Sequence, residues 1–287
     1  IAMSFTFAEA DGLDLRYQLS IGASARAGEP QILSERLVGR LETRRGGDTV
    51  YLERDTVTSR VYNELSPGPD KRENWGIQAN YLQISQLKDE NRFPALAYVR
   101  RALGSVLVLR PDASVLRQRE VVGGELSLGP KGQGLVAILD AVAPAALQRL
   151  AHLLAEGDPQ IASLRLLGAG EGQKEIGLLE KGHPRPYGPY QISDGTLRLL
   201  AMLTAITGIA PRTETLIIEE PENGIHFSRL RRLAQVCRQR VAQDPEVRII
   251  MTTHSIPLLH ELEREEAMAI VRDQEGTSRI LPPPDEA

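Results

Sequence analysis

Two adjacent carboxylates at the end of an apolar run are the residues of this chain best suited to chemistry. Leu216-Ile217-Ile218 leads directly into Glu219-Glu220, and Pro221-Glu222-Asn223-Gly224-Ile225-His226 follows. A short apolar run bounded in this way reads as a strand covered on both faces. In open α/β sheets, ligands bind beyond the carboxyl ends of such strands. One carboxylate at that edge can hold Mg²⁺, which prefers hard oxygen ligands. Its neighbour points elsewhere, because side chains alternate along a strand, and can orient or deprotonate a water. The same residue types also suit a strand that simply ends in solvated glutamates.

Two further segments carry polar groups at places where chemistry is possible. Ser193-Asp194-Gly195-Thr196 precedes an apolar helix expected over 197–206, closed by Gly208 and Pro211. A helix N-terminus offers free N–H groups and the positive end of the dipole, which favours phosphate, and Gly195 allows close backbone approach. An ordinary capped helix, with Ser193 or Asp194 as N-cap, has the same appearance. Thr252-Thr253-His254-Ser255 ends an apolar strand expected over 247–251. A histidine at a strand end is commonly structural; here it is the third polar element in one α/β alternation.

The elements that must position these residues follow from periodicity. Phe5 and Phe7 alternate with polar neighbours, and Leu13, Leu15, Tyr17, Leu19 and Ile21 keep period two, so the chain opens in half-buried strands. Further strands are expected over 32–43 and 49–62, about a turn at Arg45-Gly46-Gly47-Asp48. Ser66-Pro67-Gly68-Pro69-Asp70 reads as a linker. Helical character is expected over 81–103 with a break near Pro94, then a strand over 106–110. Helix follows over 135–155, divided at Pro144, and then a hairpin from 161–167 and 175–180. The remainder alternates helix and strand, which argues for a parallel sheet. Within it, 227–243 is an amphipathic helix with Leu230, Leu233, Ala234, Cys237 and Val241 on one face. Its arginines 229, 231, 232, 238 and 240 read as a solvated face, with a DNA or partner contact as the alternative. Ser255 is expected to cap a helix over 256–266, before a hairpin from 268–272 and 277–281 and a tail at Pro282-Pro283-Pro284.

Composition narrows the function classes. The 287 residues are 41% hydrophobic and 25% charged, enough to bury a core, and a net charge of -4 gives no global attraction to nucleic acid. The single cysteine, Cys237, excludes an internal disulfide and a cysteine metal cluster. No apolar run approaches the roughly 18 residues of a membrane span, so a cytoplasmic protein without membrane contact is expected.

Taken together, the three polar segments resemble the C-terminal half of an ABC-type ATPase head of the SMC/RecF/OLD branch, particularly the bacterial AAA-type ATP-binding proteins. The resemblance is carried by residues 191–272. It implies ATP and Mg²⁺ as cofactors, with Glu219 as the Mg²⁺ carboxylate and Glu220 as the general base for the attacking water. Most ABC ATPases have Asp where this chain has Glu219. His254 resembles the switch histidine that reaches the γ-phosphate. Ser193-Asp194-Gly195 resembles the signature motif, which contacts the ATP of the partner subunit; Asp194 stands where many transporters have a second glycine. The implied partner is therefore a second copy, joined head to tail through sandwiched ATP, with DNA or an effector protein as the object of the cycle. DNA repair and phage defence are the implied settings.

The implied fold is a P-loop NTPase-like (ABC-type) α/β sheet with flanking helices and an N-terminal antiparallel β-rich lobe. The expected division is a lobe at 1–65, a linker and helical segment at 66–105, and the ATPase part at 106–287. The sequence holds no Gly-x-x-x-x-Gly-Lys-Ser/Thr phosphate loop. Gly129-Pro130-Lys131-Gly132-Gln133-Gly134-Leu135-Val136 has the glycine spacing, but Leu135 and Val136 replace the lysine and hydroxyl. The expectation is an ATPase truncated at its N-terminus and inactive as this chain alone, with no residue assigned to a glutamine loop. A non-catalytic scaffold and a metal-dependent nuclease using Glu219, Glu220 and Glu222 are the competing functions.

Overall fold

The computed structural model describes residues 2–8, 14–23, 29–40, 48–66, 71–124, 126–210, 214–272, 276 and 278–281. The expected turn at 45–47, the linker at 67–70, Pro211, the turn at 273–275 and the tail from 282 lie outside these. The chain divides into two units, Ile1–Gly104 and Ser105–Ala287.

The first unit is built on a six-stranded antiparallel meander, with strands β1 Ala2–Ala8, β2 Asp14–Ala23, β3 Pro30–Arg40, β4 Thr49–Arg54, β5 Ser59–Tyr62 and β6 Arg72–Asn74 in sequential order. The period-two pattern works as expected on β2, where Leu15, Tyr17 and Leu19 are buried and their neighbours are not. The run 49–62 is two strands rather than one. Asp55 accepts hydrogen bonds from Val57 N and Thr58 N at 2.6 Å each, closing a side-chain turn between β4 and β5. These bonds, Thr58's first, hold the Asp55 carboxyl below its usual range.

Residues 66–105, read from the sequence as linker and helical segment, contribute β6 to this sheet and helix α1 Pro94–Gly104 to its core. Pro94 starts α1 rather than breaking a longer helix. A proline lacks only an N–H that the first helical turn leaves unbonded anyway. Before it there is just one 3₁₀ turn, Gln83–Gln86.

At the centre of this unit lies a buried ion pair. Glu35 and Arg54 are both fully buried side chains, 3.4 Å apart. Glu35 accepts from Tyr17 Oη at 2.8 Å, Gln83 N at 2.5 Å and Ile84 N at 3.0 Å, while Arg54 donates to the carbonyls of Tyr81 and Gln78. Burial, and next the Glu35 charge, push the Tyr17 hydroxyl far above its ordinary range.

The second unit holds a three-stranded parallel sheet in the order β12-β11-β7 (β7 Val106–Leu109, β11 Thr215–Glu219, β12 Arg248–Thr252). Beside it, β8 Glu120–Val121, β9 Ile161–Gly170 and β10 Gln173–Glu180 form an antiparallel sheet in the order β8-β10-β9. The helices are α2 Ala113–Leu116, α3 Leu135–Ala141, α4 Pro144–Gly157, α5 Asp194–Ile206, α6 Phe227–Gln243 and α7 Ile256–Leu259. α5 is the hub of the core: residues 195–206 are all buried except Arg198. A helix that is apolar on nearly every side belongs inside a domain. Cys237 is buried against the same core, and desolvation pushes its thiol up to about 12. Val241, expected on the apolar face of α6, is exposed.

The helix expected over 256–266 stops at Leu259. Glu263 and Glu266 form their own capping box and begin a separate 3₁₀ turn, Arg264–Glu266, which Arg238 holds through Glu266 at 2.8 Å. A last hairpin pairs β13 Ala269–Arg272 with β14 Ser278–Leu281. No helix among the described residues is long and apolar enough to cross a membrane.

The buried pair yields a test. Glu35→Ala leaves the Arg54 charge enclosed without its partner and is expected to cost about 3–5 kcal/mol. Replacing both residues with methionine should recover most of that loss. Denaturant unfolding of the three proteins checks it; equal stabilities for the single and double variants would contradict the account.

Candidate functional site

The parallel sheet brings three strand ends to one edge. Ile218 pairs with Leu109 and Glu219 pairs with Thr252, so Arg110, Glu219-Glu220 and Thr253-His254 leave neighbouring strands side by side. Leu216 and Ile218 face the core, which anchors β11 and presents the two glutamates at its carboxyl end. Glu219 is 43% exposed and meets Arg110 Nη1 at 3.7 Å.

Glu220 has φ 45°, a left-handed conformation that costs a non-glycine residue about 1–3 kcal/mol. Three bonds hold it there. Its N–H donates to Thr252 O at 2.9 Å, its carbonyl accepts from Asn223 N at 3.0 Å, and its carboxylate accepts from Asn223 Nδ2 at 2.6 Å. The strand thus ends at Glu220, whose N–H still bonds β12 while its carbonyl and carboxylate bond the turn.

The turn after the glutamates is pinned from both sides. Glu222 Oε1 accepts from His254 N at 2.9 Å, tying the turn to the end of β12. Arg198 Nη1 on α5 donates to Asn223 O at 3.1 Å. Gly195 lies against Gly224: a Cβ at Gly195 would stand 2.2 Å from the Gly224 carbonyl oxygen. The glycine requirement at 195 therefore comes from contact with the chain's own turn. His226 caps α6, its Nδ1 accepting from Ser228 N.

Ser193 is the N-cap of α5, accepting from Thr196 N at 3.2 Å and donating to Thr196 Oγ1 at 2.8 Å. Arg229 Nη1 also donates to Thr196 Oγ1, at 3.0 Å, and bridges to Asp158. Asp194 accepts from Arg117 Nη2 at 2.6 Å. Ser193 and Asp194 are exposed and Gly195 is buried.

Glu219 and Glu220 share an open cleft of about 710 Å³. Its lining includes Arg110, Asp112, Lys131, Arg198 and Asn223, but not Ser193, Gly195 or His254. The structure thus joins His254 to the glutamate turn through its backbone, with an exposed ring, and sets the Ser193 turn beside Gly224 rather than in the cleft.

Asn223 and the three cations are the site residues that sequence reasoning passed over. Asn223 stands three residues beyond Glu220, a spacing a tight turn brings back on itself. Asp112 has its carboxyl held low, first by Ser114 and then by the charges of Lys131 and Arg198.

The glycine-rich string 129–136 opens α3, as a phosphate loop would open its helix. The amides there are taken: Gly134 N, Val136 N and Ala137 N donate to the Glu120 carboxylate at 2.7, 3.0 and 3.3 Å. The five arginines of α6 are likewise engaged, with Asp158, Glu261, Glu156, Glu266 and Asp244. Every member is thus paired within the chain, as the solvated-face reading expects.

Residues 2–261 match the protein-family model described as "AAA domain, putative AbiEii toxin, Type IV TA system". No curated protein matches the chain in sequence. Among solved structures, the chain is similar to the SMC head bound to the C-winged helix domain of ScpA, at 13% identity over 89% of this chain and 76% of that one, with a TM-score of 0.48. It is also similar to the SMC head domain from Thermotoga maritima, at 12% identity over 93% and 74%, with a TM-score of 0.39. A third, described by ATP-driven dimerization and DNA stimulated activation of SMC ATPases, has 16% identity over 48% and 82% and a TM-score of 0.38.

Gly195→Ala should drive α5 and the 220–225 turn apart and destabilise the protein by about 1–3 kcal/mol. Thermal or denaturant unfolding reads this directly; an unchanged midpoint would show that the turn yields freely.

Proposed function

Since the chain belongs to the AAA-domain family of nucleotide-binding ATPases over residues 2–261, we propose that it is an ATPase head of the SMC/RecF/OLD branch. Mg·ATP held between two copies draws them head to tail, and hydrolysis releases them. The observation that carries this reading is the pair Glu219-Glu220 at the carboxyl end of β11, opening on one cleft, with Glu220 held in a left-handed conformation and its carboxylate oriented by Asn223. A general base held by a second polar group is what proton abstraction from a positioned water requires.

The residues fit Mg²⁺ of the kind that arrives with a nucleotide. Among the described residues there is no group of three or more acidic, histidine or cysteine side chains able to cage a metal. Nucleotide-bound Mg²⁺ needs only one or two carboxylates besides phosphate and water. Glu219 is accessible and held only by a long ion pair. Glu219 would hold the ion, which neutralises developing charge on the phosphates when bound. Glu220 accepts the proton of the attacking water through the oxygen that Asn223 leaves free. His254, tied to the same turn by Glu222, senses the terminal phosphate. Ser193, exposed at the start of α5, offers its hydroxyl and the helix N-terminus to the nucleotide of the second copy.

The nuclease reading has less support, because no group of three acidic, histidine or cysteine side chains able to hold a metal occurs among the described residues. A scaffold remains as a second reading, favoured by one observation: the 287 residues contain no Gly-x-x-x-x-Gly-Lys-Ser/Thr string. The ATPase reading therefore requires a phosphate-cradling loop from outside these residues. In this reading the cycle serves a cytoplasmic effector system, acting on DNA or a partner protein in repair or phage defence. The toxin–antitoxin wording of the family description fits the second setting.

Two variants test the reading in protein that carries a phosphate loop. Glu220→Gln should lower ATP turnover by about 10²–10⁴-fold while an ATP-bound dimer accumulates in size-exclusion chromatography. Unchanged turnover would refute Glu220 as the base, and ATP binding by neither this chain nor the loop-bearing protein would favour the scaffold. Ser193→Arg should abolish the ATP-induced dimer while leaving monomeric ATP binding intact; a normal dimer would sink the sandwich.

A further inference from the structure

Arg110, Lys131 and Arg198 converge on the cleft that also holds Asp112, Glu219 and Glu220. Arg110 is 68% exposed and reaches Glu219 only at 3.7 Å. Lys131 and Arg198 form no ion pair among the described residues, although both lie near enough to Asp112 to lower its carboxyl. Asp112 is occupied elsewhere, accepting from Ser114 N at 2.9 Å and Ser114 Oγ at 2.7 Å. Arg198 spends Nη1 on the Asn223 carbonyl, and its buried Nε has no partner. On α6, by contrast, all five arginines are paired with carboxylates.

The glycine-rich loop fixes Lys131 in this position. Arg110 N donates to Pro130 O at 2.7 Å and Asp112 N to Lys131 O at 3.0 Å, zipping the loop onto the segment that leaves β7. Gly132 and Gly134 have φ of 95° and 81°, and a Cβ at Gly134 would stand 2.0 Å from the Ser127 carbonyl oxygen. Glu120 has already taken the amides of the α3 N-terminus. An anion in this cleft is therefore met by side chains, not by a helix end.

We infer that Arg110, Lys131 and Arg198 form the phosphate-binding wall of the site, taking the oxygens of the polyphosphate of a nucleoside triphosphate opposite the carboxylates. This deepens the ATPase reading and rests on it for the nucleotide. The chemistry suits the ligand: guanidinium groups bind phosphate oxygens through a planar fork, and lysine adds a point charge. A polyphosphate carries enough charge and enough oxygens to engage all three cations at once, while a bound Mg²⁺ would occupy the carboxylates on the opposite side. The cleft, about 710 Å³, also has room for it.

The test is calorimetric titration of this chain with inorganic tripolyphosphate in the presence of Mg²⁺, and with Mg·ATP. Arg198 is left intact because it supports the glutamate turn. The wild-type chain should bind tripolyphosphate with an affinity that falls as salt rises. Arg110→Ala with Lys131→Ala should weaken binding at least tenfold, and exchange to Arg110→Lys with Lys131→Arg should restore most of it. Circular dichroism verifies that each variant is folded. Equal affinity in wild type and the double alanine variant, or no binding to the folded wild-type chain, would overturn the inference.

The two readings fail separately. Tripolyphosphate binding that depends on Arg110 and Lys131, in a protein that never hydrolyses ATP even with a phosphate loop, would support the wall and end the ATPase reading. ATP hydrolysis with an unchanged KM in the double alanine variant would do the reverse.

Discussion

The bond from the His254 amide to the Glu222 carboxylate is the contact on which the geometry of the site depends. Parallel strands cannot be joined by a tight turn, so their ends are aligned only by packing and by what is tied across the edge. Glu222 makes that tie two residues beyond the candidate base. It closes the turn at 220–225 onto β12, and Glu220 N–H continues the ladder to Thr252 O on the same side. The left-handed backbone at Glu220 lies between these two ties.

On its other side the turn rests on α5. Arg198 holds the Asn223 carbonyl, and Gly195 admits the Gly224 carbonyl at a distance no side chain would allow. One short segment therefore connects the carboxylates, the end of β12 and the start of α5. The arginines of α6 and the Glu35–Arg54 pair of the first unit are paired internally. Arg110, Lys131 and Arg198 instead line the cleft that holds the two glutamates.

What the sequence determined by itself was the local grammar: period two in β2, the apolar run of β11 ending in two acids, the capping serines at 193 and 255, and the α/β alternation that requires a parallel sheet. Those features depend on neighbours a few residues away, so residue order suffices to write them. Element ends were less legible where a side chain competes with the backbone. Asp55 divides an expected strand, and the Glu263–Glu266 box ends an expected helix early. Only the tertiary structure decided that Asn223 orients Glu220, that Gly195 serves an internal contact, and that a glycine-rich string with its amides filled by Glu120 supplies Lys131 to the same cleft as the glutamates. Each of these joins residues through the packing of separate elements. Side-chain type is written locally, but which groups share one volume is set by how the sheet and α5 close on each other.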